Sequence, residues 1–334
     1  MPQPWRNPML DLTEIRDAGP KGKGLFATRA IKKGTSVMHL DLPIMLAVEH
    51  NQLDLVCEYC QAVECKHAIC SDCNLISYCD DTCKQQAWDA YHQYECPIFQ
   101  DMTHSEFEES RTRAVLRLVL LQGAHRISHD IFAEVLALCS HDDKISPDQT
   151  TILAERADLI KQKTKTDLRI TDIFKLCCIF EHNCWGIPSP VDADEDIGVE
   201  VFLKLSRANH SCIRNATIRS TRILKLRYSD PDGKLRFVKT HDRRDERLFR
   251  HLVAKRDIRD GEEITVAYTN PDVPLNQRRE ALDRSWHFRC TCARCEIEEA
   301  QLKLSQLALD AGTTQDVDRS ESQTTLAATA AQRA

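Results

Sequence analysis

The sequence predicts an α+β protein. Three observations point there: strand-like runs toward both ends of the chain, a long helix-patterned stretch between them, and two separated groups of cysteine and histidine at metal-ligand spacing. Residues 11–50 alternate short apolar stretches with Gly and Pro, as strands and turns do, with Lys21-Gly22-Lys23-Gly24-Leu25-Phe26-Ala27 among them. A cysteine-rich unit over 55–97 interrupts this region like an inserted module.

From about 105 to 183 the pattern is helical. Ala114, Val115, Leu118, Val119 and Leu121 recur at helix spacing, and Ile131, Val135, Leu136 and Leu138 continue it. Pro147 opens a third helix carrying Ile152, Leu153, Leu159 and Ile160, and a fourth holds Ile173, Phe174, Leu176 and Ile179. Pro188 through Asp196 reads as an acidic loop. Strand signals return at Val199–Phe202, Ala216–Ile218, Ile223–Leu226 and Glu263–Tyr268, with Asp230-Pro231-Asp232-Gly233 as a hairpin turn. The mixed-charge run Thr240–Arg250 is expected to be a solvated excursion between strands. One short helix is expected after Glu296, and a Thr-, Gln-, Ser- and Ala-rich tail over 312–334 is expected to be disordered.

The chain has 334 residues, 42% hydrophobic and 29% charged, with a formal net charge of -6, enough for a sizeable core and more than one domain. No apolar run approaches the ~20 residues that span a bilayer, so no membrane role is expected. The start, MPQPWRNPML, lacks the plan of a signal peptide. Its 16 cysteines therefore read as metal ligands and free thiols rather than a disulfide framework. Net acidity argues against direct nucleic-acid binding, and the basic run Lys161–Lys165 reads as a solvated helix face.

The richest signal is a ladder of eight ligand residues: Cys57, Cys60, Cys70, Cys73, Cys79, Cys83, His92 and Cys96. Eight thiolate and imidazole ligands are what two tetrahedral zinc sites need. Far downstream, Cys290, Cys292 and Cys295 supply only three, so a closed site there must take its fourth ligand from elsewhere in the chain. Cys65 and His67, inside the ladder, are expected to be loop residues.

With Tyr78 before Cys79, Trp88 before His92 and Glu95 before Cys96, the ladder resembles the MYND zinc finger, and all eight of that family's ligand positions are present. The resemblance implies interleaved sites, Cys57, Cys60, Cys79 and Cys83 on one zinc and Cys70, Cys73, His92 and Cys96 on the other. It also implies a peptide-docking role, often for proline-rich partners in extended form.

Three further motifs follow in order: Gly22-Lys23-Gly24, then Ser206-Arg207-Ala208-Asn209-His210-Ser211-Cys212 with Asn215, then Gly261 through Tyr268 followed by Phe288 and the cysteine cluster. Together they resemble the SET-domain lysine methyltransferases, and the inserted finger makes the match closest to the SMYD family, over residues 10–297. The implied fold is a SET-domain β-sheet core with a pseudoknot. Its organisation would be 10–54 and 186–270 as SET core, 55–97 as MYND finger, 98–185 as helical insert and 271–299 as zinc-binding post-SET segment.

The same resemblance implies that Cys212 joins Cys290, Cys292 and Cys295 on a third zinc. It implies S-adenosylmethionine contacts from Gly22, Lys23, Gly24, Asn183, Ser206, Asn209, His210, Tyr268 and Phe288, with Phe288 stacking on the adenine. Tyr268 would be catalytic, its hydroxyl beside the transferring methyl group. The implied reaction is in-line attack of a neutral lysine amine on the methyl carbon, with alignment supplying much of the rate. Free lysine has a pKa near ~10.4, so an apolar channel and the sulfonium charge would both favour the neutral amine.

Trp286 stands where the family usually carries a tyrosine, and Arg214 where it usually carries proline. Larger members add a C-terminal helical repeat domain that walls the substrate cleft; the sequence ends too early for one, so the expectation is either a more open cleft or an incomplete sequence. The expected function is methyl transfer to a protein lysine, in the nucleus and/or cytoplasm. The alternative is a catalytically inactive zinc-dependent interaction adaptor.

Overall fold

The computed structural model describes residues 11–40, 43–62, 68–189, 195–224 and 246–307. Cys65 and His67, the turn Asp230–Gly233 and the tail over 312–334 lie outside them, as do parts of the acidic loop and of the 240–250 run. The chain divides into two units: Met1–Asn209 with Arg214–Val266 and Ser285–His287, and His210–Ile213 with Ala267–Arg284 and Phe288–Ala334.

In the first unit, strands β1 (Thr13–Asp17) and β2 (Lys23–Ala27) form a hairpin. Its turn closes through Ala18 N–H to Gly22 O at 2.7 Å and Gly22 N–H to Gly19 O at 2.9 Å. Gly22 sits at φ 75°, a left-handed conformation that a Cβ disfavours. Next come β3 (Ser36–His39), β4 (Met45–Val48) and the short pair β5 (Ala68–Ile69) and β6 (Ser77–Tyr78). Helix α1 (Asp81–Ala87) starts on an Asp80 cap, whose carboxylate accepts Cys83 N–H. A wide π-type turn, Trp88–His92, leads into α2 (Gln93–Phe99).

The helical stretch is α3 (His104–Glu108), α4 (Ser110–Gly123), α5 (His129–Leu136), α6 (Pro147–Thr164) and α7 (Ile170–Asn183). Pro147 does open α6, behind a Ser146–Gln149 capping box. Helix α4 is its centre: Ala114, Val115, Leu116, Leu118 and Val119 are almost wholly buried, and it packs on β4, α6 and α7.

Strands β7 (Trp185–Pro188), β8 (Asp196–Val201), β9 (Ala216–Leu224), β10 (Glu246–Ala254) and β11 (Glu263–Ile264) complete three antiparallel sheets among the described residues, ordered β1-β2-β11, β3-β10-β9 and β4-β8-β7. Two expectations are corrected here. Glu246–Arg250 is not an excursion but the first half of β10, paired from Glu246 with Leu224 to Ala254 with Ala216. Arg250 is buried and ion-paired with the buried Glu200 of β8, so a run that reads as surface charge holds a core pair. The Glu263–Tyr268 strand is also shorter than expected, ending at Ile264.

In the second unit, α8 (Leu275–Trp286, its last two residues belonging to the first unit) is followed by α9 (293–307), which starts ahead of Glu296. Arg278, fully buried, donates to Val273 O at 2.6 Å and to Cys295 Sγ at 3.7 Å and pairs with Glu298.

Candidate active site and metal centres

The twelve predicted metal ligands fall into three groups of four: Cys57, Cys60, Cys79, Cys83; Cys70, Cys73, His92, Cys96; and Cys212, Cys290, Cys292, Cys295. Within each group one ligand atom per residue lies within 4.8 Å of every other. The interleaving expected of the finger is therefore present, and Cys212 is the fourth member of the downstream group. A tetrahedral zinc with Zn–S bonds near 2.3 Å has sulfurs about 3.8 Å apart. Here Cys60–Cys79 is 3.7 Å, Cys79–Cys83 3.4 Å, Cys70–Cys96 3.7 Å, Cys212–Cys295 3.5 Å and Cys212–Cys290 3.9 Å. His92 Nε2 faces Cys73 Sγ at 3.7 Å. The donor set and its spacing fit a tetrahedral ion in each group.

The outer contacts of the second group escape sequence reading. His92 Nδ1 lies 3.1 Å from Glu95 Oε1, the carboxylate–histidine contact that orients a ligating imidazole. Glu95 is wholly buried, which acts against its charge, but Arg117 outweighs this and holds its carboxyl below the ordinary range. Arg117, from α4, donates to Glu95 at 2.7 and 2.9 Å, to Glu58 Oε1 at 2.8 Å and to Leu46 O at 2.6 Å, and lies 4.0 Å over the Tyr91 ring. Glu58 Oε2 in turn accepts Val48 N–H at 3.0 Å. A buried run of charge thus connects the finger to the helical core and to β4.

In the first unit the glycine motif meets Asn209. Asn209 Nδ2 donates to Lys23 O at 3.2 Å and Glu263 Oε1 at 2.9 Å, and Lys21 Nζ holds the other oxygen of Glu263 at 2.6 Å. A Cβ on Gly24 would stand 2.9 Å from Ala18 Cβ and 3.2 Å from Asn209 Nδ2, so glycine there admits the asparagine. Asn215 is buried and fully used: Oδ1 accepts Thr265 N–H at 2.8 Å, and Nδ2 donates to Glu263 O at 2.8 Å and Glu262 Oε1 at 3.2 Å.

Asn183 ends α7, and its Nδ2 donates to Cys139 O and Ile179 O at 2.8 and 2.9 Å; both amide hydrogens are taken, leaving the carbonyl oxygen for a ligand. Ser206 lies in the short turn Leu205–Arg207, and its buried Oγ has no partner among the described residues, a hydroxyl that a polar ligand would satisfy. Trp286 donates its Nε1–H to His182 O at 3.2 Å, so the tryptophan that replaces the family's tyrosine has a hydrogen bond of its own.

In the second unit, His210, Tyr268 and Phe288 form a ring cluster. Centroids are 5.5 Å apart for His210–Tyr268, 5.9 Å for His210–Phe288 and 6.4 Å, edge to face, for Tyr268–Phe288. The His210 imidazole turns inward: Nδ1 accepts Tyr268 N–H at 3.0 Å, which puts the ring proton on Nε2, 3.3 Å from Cys212 Sγ. Sequence reading sees His210 only as a cofactor contact; these two bonds make it also a brace between the tyrosine and the metal group.

The SET domain family profile matches residues 22–269, so this chain belongs to the SET domain family. Within that family it is SMYD-like. A SET and MYND domain-containing protein of Dictyostelium discoideum is 22% identical over 331 residues, 84% of this chain and 58% of its own length. The SET domain and MYND-type zinc finger protein 6 of Schizosaccharomyces pombe is 24% identical over 82% of this chain and 50% of its own. The human histone-lysine N-methyltransferase SMYD3 is 24% identical over 84% of this chain and 60% of its own. The chain thus spans 50–60% of the length of these relatives.

No helix among the described residues is long and apolar enough to cross a membrane.

Proposed function

We propose that this chain is a protein-lysine N-methyltransferase that uses S-adenosylmethionine and holds three zinc ions, two in the finger and one at Cys212, Cys290, Cys292 and Cys295. The observation that carries the reading is the ring cluster of His210, Tyr268 and Phe288 built directly on a metal group, inside a chain of the SET domain family. S-adenosylmethionine would supply the methyl group. The main chain of Gly22, Lys23 and Gly24, the amide oxygen of Asn183, the Ser206 hydroxyl, Asn209 and His210 would bind it, and Phe288 would stack on its adenine. Tyr268 Oη would accept a hydrogen bond from the lysine amine and orient its lone pair, without serving as a strong base. The zinc ions would act structurally, since each group already offers four protein ligands.

The substrate is proposed to be a lysine-bearing protein, met in the nucleus and/or cytoplasm. A proline-rich peptide is a proposed second partner at the finger.

Calorimetry with S-adenosylmethionine on zinc-replete chain, beside a radiolabelled methyl transfer assay on cell extract, tests the reading. Binding, with label on a protein band that weakens in Tyr268→Phe, is the expected result. Folded protein that holds its zinc but binds no cofactor would overturn it in favour of an interaction adaptor.

A further inference from the structure

Three histidines outside the predicted site come together in the first unit. His141 follows α5, His182 lies in the last turn of α7, and His287 follows α8. Their ring centroids are 5.0 Å (His141–His182), 5.3 Å (His182–His287) and 5.6 Å (His141–His287) apart, a near-equilateral triangle of tilted and edge-on rings. The bond between His182 Nδ1 and Cys178 O, 2.7 Å, puts a proton on Nδ1 and leaves Nε2 with a lone pair. That Nε2 lies 3.4 Å from His287 Nε2. Beside them, Cys139 Sγ is 3.2 Å from His141 Nε2.

A tetrahedral ion with metal–nitrogen bonds of about 2.0–2.1 Å has neighbouring nitrogens about 3.4 Å apart and imidazole centres about 5 Å apart. The three ring centres have these dimensions, and so does the nitrogen pair of His182 and His287; the His141 nitrogens do not yet lie within 4.8 Å of both partners' ligand nitrogens. A main-chain carbonyl on the far nitrogen of His182 is the usual outer contact of a ligating histidine. His141 and His287 also hold left-handed backbone, φ 50° and 54°, a conformation uncommon for side chains with a Cβ and concentrated at functional positions.

We propose that His141, His182 and His287, with Cys139 as fourth donor, form a further site for a divalent transition ion with a preference for imidazole, such as zinc, nickel or cobalt. His182 and His287 already converge through Nε2. His141 offers its Nε2 to Cys139, and rotation of that one side chain is the adjustment that metal entry requires. The ion would tie the segment carrying Cys139 and His141 to the end of α7 and to the residue after α8. Asn183, whose amide donates to Cys139 O, is held by the first two of these, so occupancy would fix the position of its amide group.

The test is nickel uptake by the untagged, zinc-replete chain, measured by equilibrium dialysis and elemental analysis beside the H141N/H287N variant. Asparagine tolerates the left-handed backbone at both positions and is a poor ligand for these ions. The wild-type chain is expected to retain one more metal ion per molecule than the variant, Ni²⁺ and Zn²⁺ summed. The single variant H287N, altering a half-buried residue, carries the same expectation should the double variant fail to fold. An equal sum of nickel and zinc in wild type and variant would overturn the proposal. Because the readout is a metal difference and not methyl transfer, it stands or falls separately from the proposed activity.

Discussion

The imidazole of His210 accepts the main-chain N–H of Tyr268 on one side and presents its other nitrogen to the sulfur of Cys212 on the other, at 3.0 and 3.3 Å. The residue proposed to act in catalysis is therefore braced through one ring to a metal ligand. His210→Ala would leave the Tyr268 N–H and the Cys212 thiolate without that partner. We expect about 1–3 kcal/mol of lost stability and about 10–100-fold weaker metal retention at the Cys212 group. Chelator competition with the finger groups as internal reference measures this; retention equal to wild type would refute the brace.

Gly24→Ala tests the approach of Asn209. The added Cβ meets Ala18 Cβ and Asn209 Nδ2 at 2.9 and 3.2 Å, and neither neighbour is the far end of a long side chain. Displacing Asn209 from Lys23 O and Glu263 should weaken S-adenosylmethionine binding by at least about tenfold, the equivalent of one good hydrogen bond. Calorimetry gives the number, and an unchanged Kd would remove Gly24 and Asn209 from the site.

Arg117→Met addresses the charge buried between finger and core. Truncation leaves Glu58 and Glu95 buried without their cation, which costs about 3–5 kcal/mol where a buried pair is broken. Urea unfolding should show that loss. The triple change Arg117→Met, Glu58→Gln, Glu95→Gln removes the uncompensated charge and should recover part of it.

Glu262 gives a pH signature. The hydrogen bond from Arg256 holds its carboxyl down to about 2 from an ordinary value of 4.5, against some desolvation, with Arg259 N–H and Asn215 assisting. A carboxyl depressed in the folded state stabilises above its unfolded value and loses that contribution as pH falls through the folded one. With the side chain about a quarter exposed, we expect Glu262→Gln to cost about 1 kcal/mol at pH 7. The gap from wild type should narrow between pH 4.5 and 2. A gap that is flat with pH in denaturant unfolding would count against the ion pair.

Much of this was legible in the sequence because ligand chemistry is local and periodic. Cysteine and histidine spacing marks the eight finger ligands and Cys290, Cys292 and Cys295, the family resemblance adds Cys212, and helix periodicity finds the segments that become α4 to α7. What stayed hidden depends on long-range pairing. Glu246–Arg250 reads as surface charge until β9 lies beside it and Glu200 faces Arg250. Glu95 reads only as part of the finger's spacing, and Arg117 as an ordinary helix residue, until burial brings them together. The three histidines sit in stretches that share no motif, so spacing offers no sign that their rings meet.

The interleaved ligand order also decides what holds the finger together as a covalent object. Residues 57–73 supply Cys57, Cys60, Cys70 and Cys73, and residues 79–96 supply Cys79, Cys83, His92 and Cys96, two from each half to each group. With both groups metallated, a protease cut between Cys73 and Cys79 would leave two fragments pinned at two points rather than released. The nicked chain, held also by the β2–β11, β3–β10 and β4–β8 pairings, should stay one species and should come apart at a lower urea concentration once a chelator has removed the metals.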